Sequence, residues 1–345
     1  MKNTFGGLAV SKMVKTLPKQ YVLERHGRYY VYSEKDKIMS DPYTSIYFGK
    51  MLDYTGNPLD EVVVKIVSMK SLDEVNQVYN ESSMLNIISD SRASKYIPVK
   101  YEYLPALYDK YYVLIMQRVG PSIERLSKNK LFSAQTCLAI LYQAIEALEA
   151  LHEQNIVHSD IKPGNMCIGL RDPQNLKLID LGISSRYSTG KEAWPRLENR
   201  INGTPYYVSP EIWFGKDFAP VSRKHDLQSM LYTVLELYNG RLPWRDIRLQ
   251  DVKWEQVPAL RKQIADYKET AVVAEIDKIQ DPYLVNILIN YYRSVWSLGA
   301  RETPKYKKLM NGIRRYPGFT RDIDIITRTQ SFGKKKKNKI KTKIN

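Results

Sequence analysis

Between residues 158 and 182 the chain gathers two carboxylates, an amine and a carboxamide in a fixed order. The run reads His158-Ser159-Asp160-Ile161-Lys162-Pro163-Gly164-Asn165, and Asp180-Leu181-Gly182 begins fifteen residues after Asn165. A carboxylate and a carboxamide supply the hard oxygen ligands that magnesium prefers. A second carboxylate can orient an attacking hydroxyl and accept its proton, and an ammonium two residues away can balance developing negative charge. This set suits phosphoryl transfer, because the donor carries several negative charges and needs a divalent cation. Asp also serves in turns and caps, so no single residue here carries the signal; the order and offsets of four do.

The flanking periodicities describe the elements that must hold these residues. From Ser133 to His152, Cys137, Leu138, Leu141, Ile145, Leu148 and Leu151 recur at helical spacing, the pattern of a core helix just before the run. Strand patterns begin at Arg28, with Tyr29 to Tyr32, Ile38, Ile46 to Phe48 and Val62 to Val67, and the turn cluster Asp53 to Pro58 interrupts them. Ser71-Leu72-Asp73-Glu74 reads as an N-cap with an acidic first turn, opening a helix to about Ile88. Within it Glu81 borders the apolar residues Met84, Leu85 and Ile88. Tyr111 to Met116 is a buried strand that leads into a connector at Gln117-Arg118-Val119-Gly120-Pro121. Ser222 opens another helix, with Asp226 in its first turn and Asn239-Gly240 at its end, and further helices follow to about residue 316. There are no internal repeats.

The 345 residues, 43% hydrophobic and 26% charged, suffice for one two-lobed domain or two modest ones. No run of eighteen apolar residues exists and the start Met1-Lys2-Asn3-Thr4 is polar, so cytosol or nucleus is expected rather than membrane insertion. Cys137 and Cys167 read as buried thiols, not as a disulfide or metal pair. Net charge is +16, and seven lysines after Gly333 supply +7 of it. That tail suits nucleic acid, an acidic protein or an anionic surface, and it equally suits plain solvation, since no aromatic residues interleave it. The basic segment Arg186 to Arg200, with Arg223 and Lys224, favours acidic or already phosphorylated substrates.

The H-x-D-I-K-P-x-N run and the Asp180-Leu181-Gly182 turn resemble the catalytic loop and metal turn of protein kinases. Gly120-Pro121-Ser122-Ile123, Ser222 to Leu227, Tyr238 to Trp244, and Tyr292-Arg293-Ser294 with Pro304-Lys305-Tyr306 resemble the casein kinase 1 group and its tau-tubulin and vaccinia-related relatives. The resemblance covers residues from about 28 to 316. It implies an α+β bilobal fold, with a small antiparallel-sheet lobe carrying one helix, a larger helical lobe, and ATP with Mg²⁺ between them. A kinase domain is expected over 21–325 (small lobe 21–116, hinge 117–120, large lobe 121–325), between a loosely ordered extension at 1–20 and a basic disordered tail at 326–345.

Carried over residue by residue, the resemblance makes Asp160, Lys162, Asn165 and Thr204 catalytic, with Asn165 and Asp180 holding Mg²⁺. Thr204, in Gly203-Thr204-Pro205, is placed to hydrogen-bond Asp160 and Lys162. Lys65, which ends the V-V-V-K strand, pairs with Glu81 and holds phosphates. Ile38, Ile46, Val63, Met116, Gln117, Val119 and Cys167 form the nucleotide pocket, with Met116 at its back and the backbone of 117–119 facing the adenine edge. Asp226 accepts backbone N–H groups of the catalytic loop. Protein Ser/Thr hydroxyls are the implied acceptors.

Four departures stand out. Met39, Asp41 and Thr44 occupy the three positions of the family's phosphate-loop glycines, where side chains and Pro42 hinder backbone approach to phosphate. Ser159 replaces the Arg before the catalytic Asp, so activity independent of activation-loop phosphorylation is expected. Leu181 replaces Phe in the metal turn and keeps an apolar plug. Ser209-Pro210-Glu211 differs from the casein kinase 1 pattern. Two readings therefore stand at this point: an active Ser/Thr kinase, or a pseudokinase that serves as a binding or scaffold module.

Overall fold

The computed structural model describes residues 20–187, 203–214, 221–249, 252–325 and 327–328. The β-branched run around Lys65 shows how the small lobe is built. Val62, Val64 and Ile66 lie on one face of a strand and Val63, Lys65 and Val67 on the other, as the two-residue period of a strand requires. That strand, β4 (Pro58–Ser68), sits in a six-stranded antiparallel sheet with β1 (Gln20–Arg25), β2 (Arg28–Ser40), β3 (Thr44–Leu52), β5 (Lys100–Leu107) and β6 (Tyr111–Gln117), in the order β1-β2-β3-β4-β6-β5. Tyr30, Tyr32, Tyr47, Val62, Val64, Val113 and Ile115 form a separate core on the sheet's outer face. The inner face, through Val67 and Leu114, joins α1 (Leu72–Ile88) and the core of the large lobe.

In the small-lobe sheet two strands were not foreseen. Strand β1 takes Gln20 from the expected extension and pairs with β2, but its Tyr21 and Val22 are exposed, so this edge strand shows no clean alternation. Strand β5 is interrupted by irregular register against β6 and by a left-handed residue at Ala106, which erases its period.

In the large lobe come α2 (Ile123–Ser127), β7 (Leu131–Phe132) and α3 (Ala134–Glu153). Ser133 caps α3 by accepting the Thr136 N–H at 3.1 Å. The sequence shows one apolar side on α3, yet sixteen of its twenty residues are buried. A helix covered on every side is a central one, and it packs against α5 (Arg223–Asn239) and α8 (Tyr306–Ile313). Between these lie β8 (Ile156–Val157), β9 (Met166–Ile168), β10 (Leu176–Leu178), β11 (Ser185–Arg186) and α4 (Pro210–Phe214); α6 (Val257–Asp277) and α7 (Pro282–Trp296) follow α5. Gly240 ends α5 in the left-handed region at φ 84°, with Leu131 where a Cβ would project.

The final strand, β12 (Thr327–Arg328), pairs with β7, so these two residues belong to the fold and not to the expected tail. Residues 1–19 of the extension, 188–200 of the basic segment and 329–345 of the tail lie outside the described residues. Among the described residues, no helix is long and apolar enough to cross a membrane.

Candidate active site

Strand β8, the β9–β10 hairpin and β11 bring the two acidic signals together. β8 pairs with β11, which follows Asp180-Leu181-Gly182, and the hairpin joins Asn165 to that turn. Asp226 anchors the loop after β8. Only 1% exposed, it accepts the backbone N–H of His158 at 2.8 Å, that of Ser159 at 2.9 Å, and shares a 2.9 Å hydrogen bond with His152 Nε2. Burial alone would raise this carboxyl; His152 and the loop donors hold it below the ordinary range. His158 completes the brace, with Nδ1 taking the Asp160 N–H at 3.3 Å and Nε2 facing the Ile179 carbonyl at 3.1 Å. Ser159 turns through φ 71° and Asp180 through φ 67°, so a left-handed bend falls just before Asp160 and another at Asp180 itself.

Asp160 is saturated. Its Oδ1 accepts the Thr204 N–H at 3.0 Å and the Thr204 hydroxyl at 2.7 Å. Its Oδ2 accepts Lys162 Nζ at 2.7 Å and Asn165 Nδ2 at 2.8 Å. Lys162 Nζ also reaches Thr204 Oγ1 at 2.8 Å. Burial acts to raise the Asp160 pKa, but Lys162 and Thr204 prevail and hold it low. Asp160 is therefore an anion at neutral pH.

Lys65 reaches the cleft from β4. Its Nζ lies 2.8 Å from Glu81 Oε2 and 4.0 Å from Asp180 Oδ1. Burial opposes its charge, yet Glu81 and Asp180 keep the ammonium above its ordinary range. Sequence patterning showed nothing at Asn80, the neighbour of Glu81. Its Nδ2 donates to the carbonyls of Leu181 at 3.3 Å, Gly182 at 3.0 Å and Ser184 at 2.9 Å, tying α1 to the metal turn. Leu181 itself is buried in the main core.

The expected pocket residues lie on strands and a connector that border the cleft, with one exception. Register places Ile46 opposite Lys65, and Val63 between Phe48 and Met116, on the cleft side of the sheet. Cys167 lies on β9 and is 3% exposed, and burial pushes its thiol up to about 12. The connector is pinned by Gly120 N–H to the Ile168 carbonyl at 2.9 Å, and the Gln117 and Arg118 N–H groups are taken by the Val99 and Glu61 carbonyls. The Val119 N–H has no hydrogen-bond partner among the described residues. Ile38 is the exception. It falls in a bulge of β2, 48% exposed, and Met39 is the residue opposite Ile46.

Between β2 and β3 the loop is closed upon itself. Asp41 Oδ1 accepts the N–H groups of Tyr43 at 2.8 Å and Thr44 at 2.7 Å, and the Asp41 N–H donates to the Thr44 carbonyl at 2.9 Å. Thr44 Oγ1 donates to Glu74 Oε2 of α1 at 3.1 Å.

The donor chemistry fits a magnesium ion. Asn165 commits its Nδ2 to Asp160, which leaves Oδ1 for a cation, and the Asp180 carboxylate is 45% exposed. Among the described residues no group of three or more His, Cys, Asp or Glu could hold a metal. A cation here would take two protein oxygens and complete its shell with phosphate and water, as magnesium commonly does.

A bilobal fold with this convergence of Lys65, Asp160, Asn165 and Asp180 defines a class, and comparison with known proteins agrees. The protein kinase domain family matches residues 48–315, and the chain belongs to that family. Within it, the chain is similar to proteins named as casein kinase 1 relatives. It is similar to a protein named as a probable casein kinase I homolog of Encephalitozoon cuniculi, 27% identical over 86% of this chain and 93% of that one. It is 31% identical to a probable serine/threonine-protein kinase of fowlpox virus over 58% of this chain and 63% of the relative. A casein kinase 1-like protein of rice (Oryza sativa subsp. japonica) is 37% identical over 39% of this chain and 20% of its own length. The chain thus spans less than two thirds of the fowlpox and rice relatives.

Proposed function

We propose that this protein is a serine/threonine kinase that transfers the γ-phosphate of ATP to protein hydroxyls. The closed hydrogen-bond set around Asp160 carries this reading, because a purely structural loop has little use for an ammonium, a carboxamide and a hydroxyl converging on one buried carboxylate. Bound Mg²⁺ would neutralise donor phosphates, held by Asn165 Oδ1 and Asp180. Lys65, fixed by Glu81, would position the donor.

Four hydrogen bonds occupy the lone-pair directions of Asp160, so a substrate hydroxyl must displace one of them. Lys162 is the partner free to leave, since a γ-phosphate offers its ammonium a stronger counter-charge. Asp160 then orients the hydroxyl through Oδ2. Losing the Lys162 hydrogen bond removes the main influence that lowers this carboxyl, so Asp160 becomes a better base as the hydroxyl arrives. The hydroxyl oxygen forms the new P–O bond, the bond to the β,γ-bridging oxygen breaks, ADP leaves with that electron pair, and the proton passes to Asp160.

A second reading, a pseudokinase scaffold, is favoured by the self-closed loop at Asp41. Mg²⁺-dependent incorporation of phosphate into a generic protein substrate, measured beside Asp160→Asn, separates the two. We expect loss of roughly 10²–10⁴-fold in the variant; equal incorporation by both proteins sinks the kinase reading. Residence in the cytosol or nucleus, and anion binding by the lysine tail, are further proposals. Imaging of tagged protein tests the first, and salt-sensitive binding lost on deleting residues 334–345 tests the second.

A further inference from the structure

A groove of about 820 Å³ runs between α7 and α8, lined by four cations (Arg293, Lys305, Lys308 and Arg315), by one acid, Glu302, and by the carboxamides of Asn286 and Asn290. It shares no residue with the catalytic constellation. From Pro282 to Thr320 the chain holds seven Lys and Arg residues against one acid, Glu302, whose carboxylate already accepts the Gly299 N–H at 3.2 Å. Elsewhere this basic surface matches its cations: Arg92 meets Glu149 and Glu153, Lys262 meets Asp266, and Arg321 meets Glu146, all within about 3 Å. The four groove cations are exposed and form no ion pair among the described residues. Like charges concentrated in a concave wall repel one another and focus a positive potential, which an anionic partner relieves.

We propose that this groove docks a short Glu- or Asp-rich segment of another protein. Charge argues against an occupant from this chain. Residues 1–19 hold four lysines and no acid, residues 329–345 hold seven lysines and no acid, and a second copy carries the same net charge of +16. The rest of the lining favours peptide over nucleic acid. Asn290 Nδ2 donates to Asn286 Oδ1 at 2.8 Å, which leaves the Asn286 amide group to donate and the Asn290 oxygen to accept, a match for the paired N–H and C=O of a peptide backbone. A phosphodiester chain uses donors alone. Where the partner is a substrate, the proposal deepens the kinase reading by recruiting it away from the catalytic cleft; docking itself needs no catalysis.

The test uses the full chain and a fluorescein-labelled peptide in which Glu alternates with Leu, read by fluorescence anisotropy. Wild-type protein is expected to bind it, with affinity falling as salt rises, and Lys305→Glu/Lys308→Glu to bind at least about tenfold more weakly. Arg293→Glu on the opposite wall is a second variant, so a folding defect in one does not decide the outcome. Equal binding by wild type and both variants, or no binding by wild type, overturns the proposal. A single-stranded oligonucleotide of equal charge that binds more tightly and loses affinity in the variants also overturns it, in favour of nucleic acid. A binding result of either sign leaves the Asp160→Asn comparison untouched, so this idea and the kinase reading fail separately.

Discussion

The Asp41 carboxylate accepts the Thr44 backbone N–H at 2.7 Å, closing from within the loop whose amides phosphate would approach. The same Oδ1 holds the Tyr43 N–H, so two donors that could face a nucleotide face an internal anion instead. Asp41→Gly should release both amides and remove a charge near the donor. We expect ATP affinity to rise about tenfold, or about 1.4 kcal/mol, whereas Asp41→Asn, which can still cap, should change it less. Calorimetric titration with Mg²⁺ and ATP checks this; identical affinity in wild type and Asp41→Gly would show that the loop does not limit binding.

Lys65 and Glu81 form a pair in which Glu81 is only 3% exposed. Lys65→Met should leave a buried carboxylate uncompensated, at a cost of about 3–5 kcal/mol, whereas Lys65→Met/Glu81→Leu should recover much of that stability. Nucleotide binding should be lost in both. Urea unfolding read beside nucleotide titration separates the two effects, and an additive double variant would mean the pair is not coupled.

Asn80 ties α1 to the metal turn through three carbonyls. Asn80→Ala should loosen residues 181–184 and speed hydrogen exchange at the Ser184 amide, which bonds the Leu181 carbonyl at 3.1 Å. Transfer should fall about tenfold with global stability reduced by only about 1 kcal/mol. Unchanged exchange at 181–184 would remove Asn80 from the positioning of the turn.

Glu211 carries a pH signature. Burial acts to raise its carboxyl, but His225 at 3.5 Å and Lys224 at 2.8 Å overcome this and lower it from 4.5 to about 2. A carboxyl depressed in the folded state stabilises above its unfolded pKa and loses that contribution as pH falls through the folded one. The Tm advantage of wild type over Glu211→Gln should therefore hold steady above pH 4.5 and shrink toward pH 2. A constant difference across that window would contradict the assignment.

Sequence alone specified the chemistry-bearing residues around Asp160 and the helices that frame them. Spacing within a loop is covalent, and helical period together with a Ser at the helix start, as at Ser71 and Ser133, reports local geometry without needing partners. Edge strand β1 and the bulge that displaces Ile38 were not legible, because exposure and register depend on the neighbouring strand. The buried surround of α3 was equally hidden, since one helix's period reveals its own stripe and not the elements that cover its other sides. Only tertiary structure decided that Asn80 grips the metal turn, that Asp41 closes its own loop, and that Lys162 and Asn165 both donate to the second oxygen of Asp160. Each is a hydrogen bond between groups whose meeting depends on where the chain returns, and pattern along the chain does not encode that.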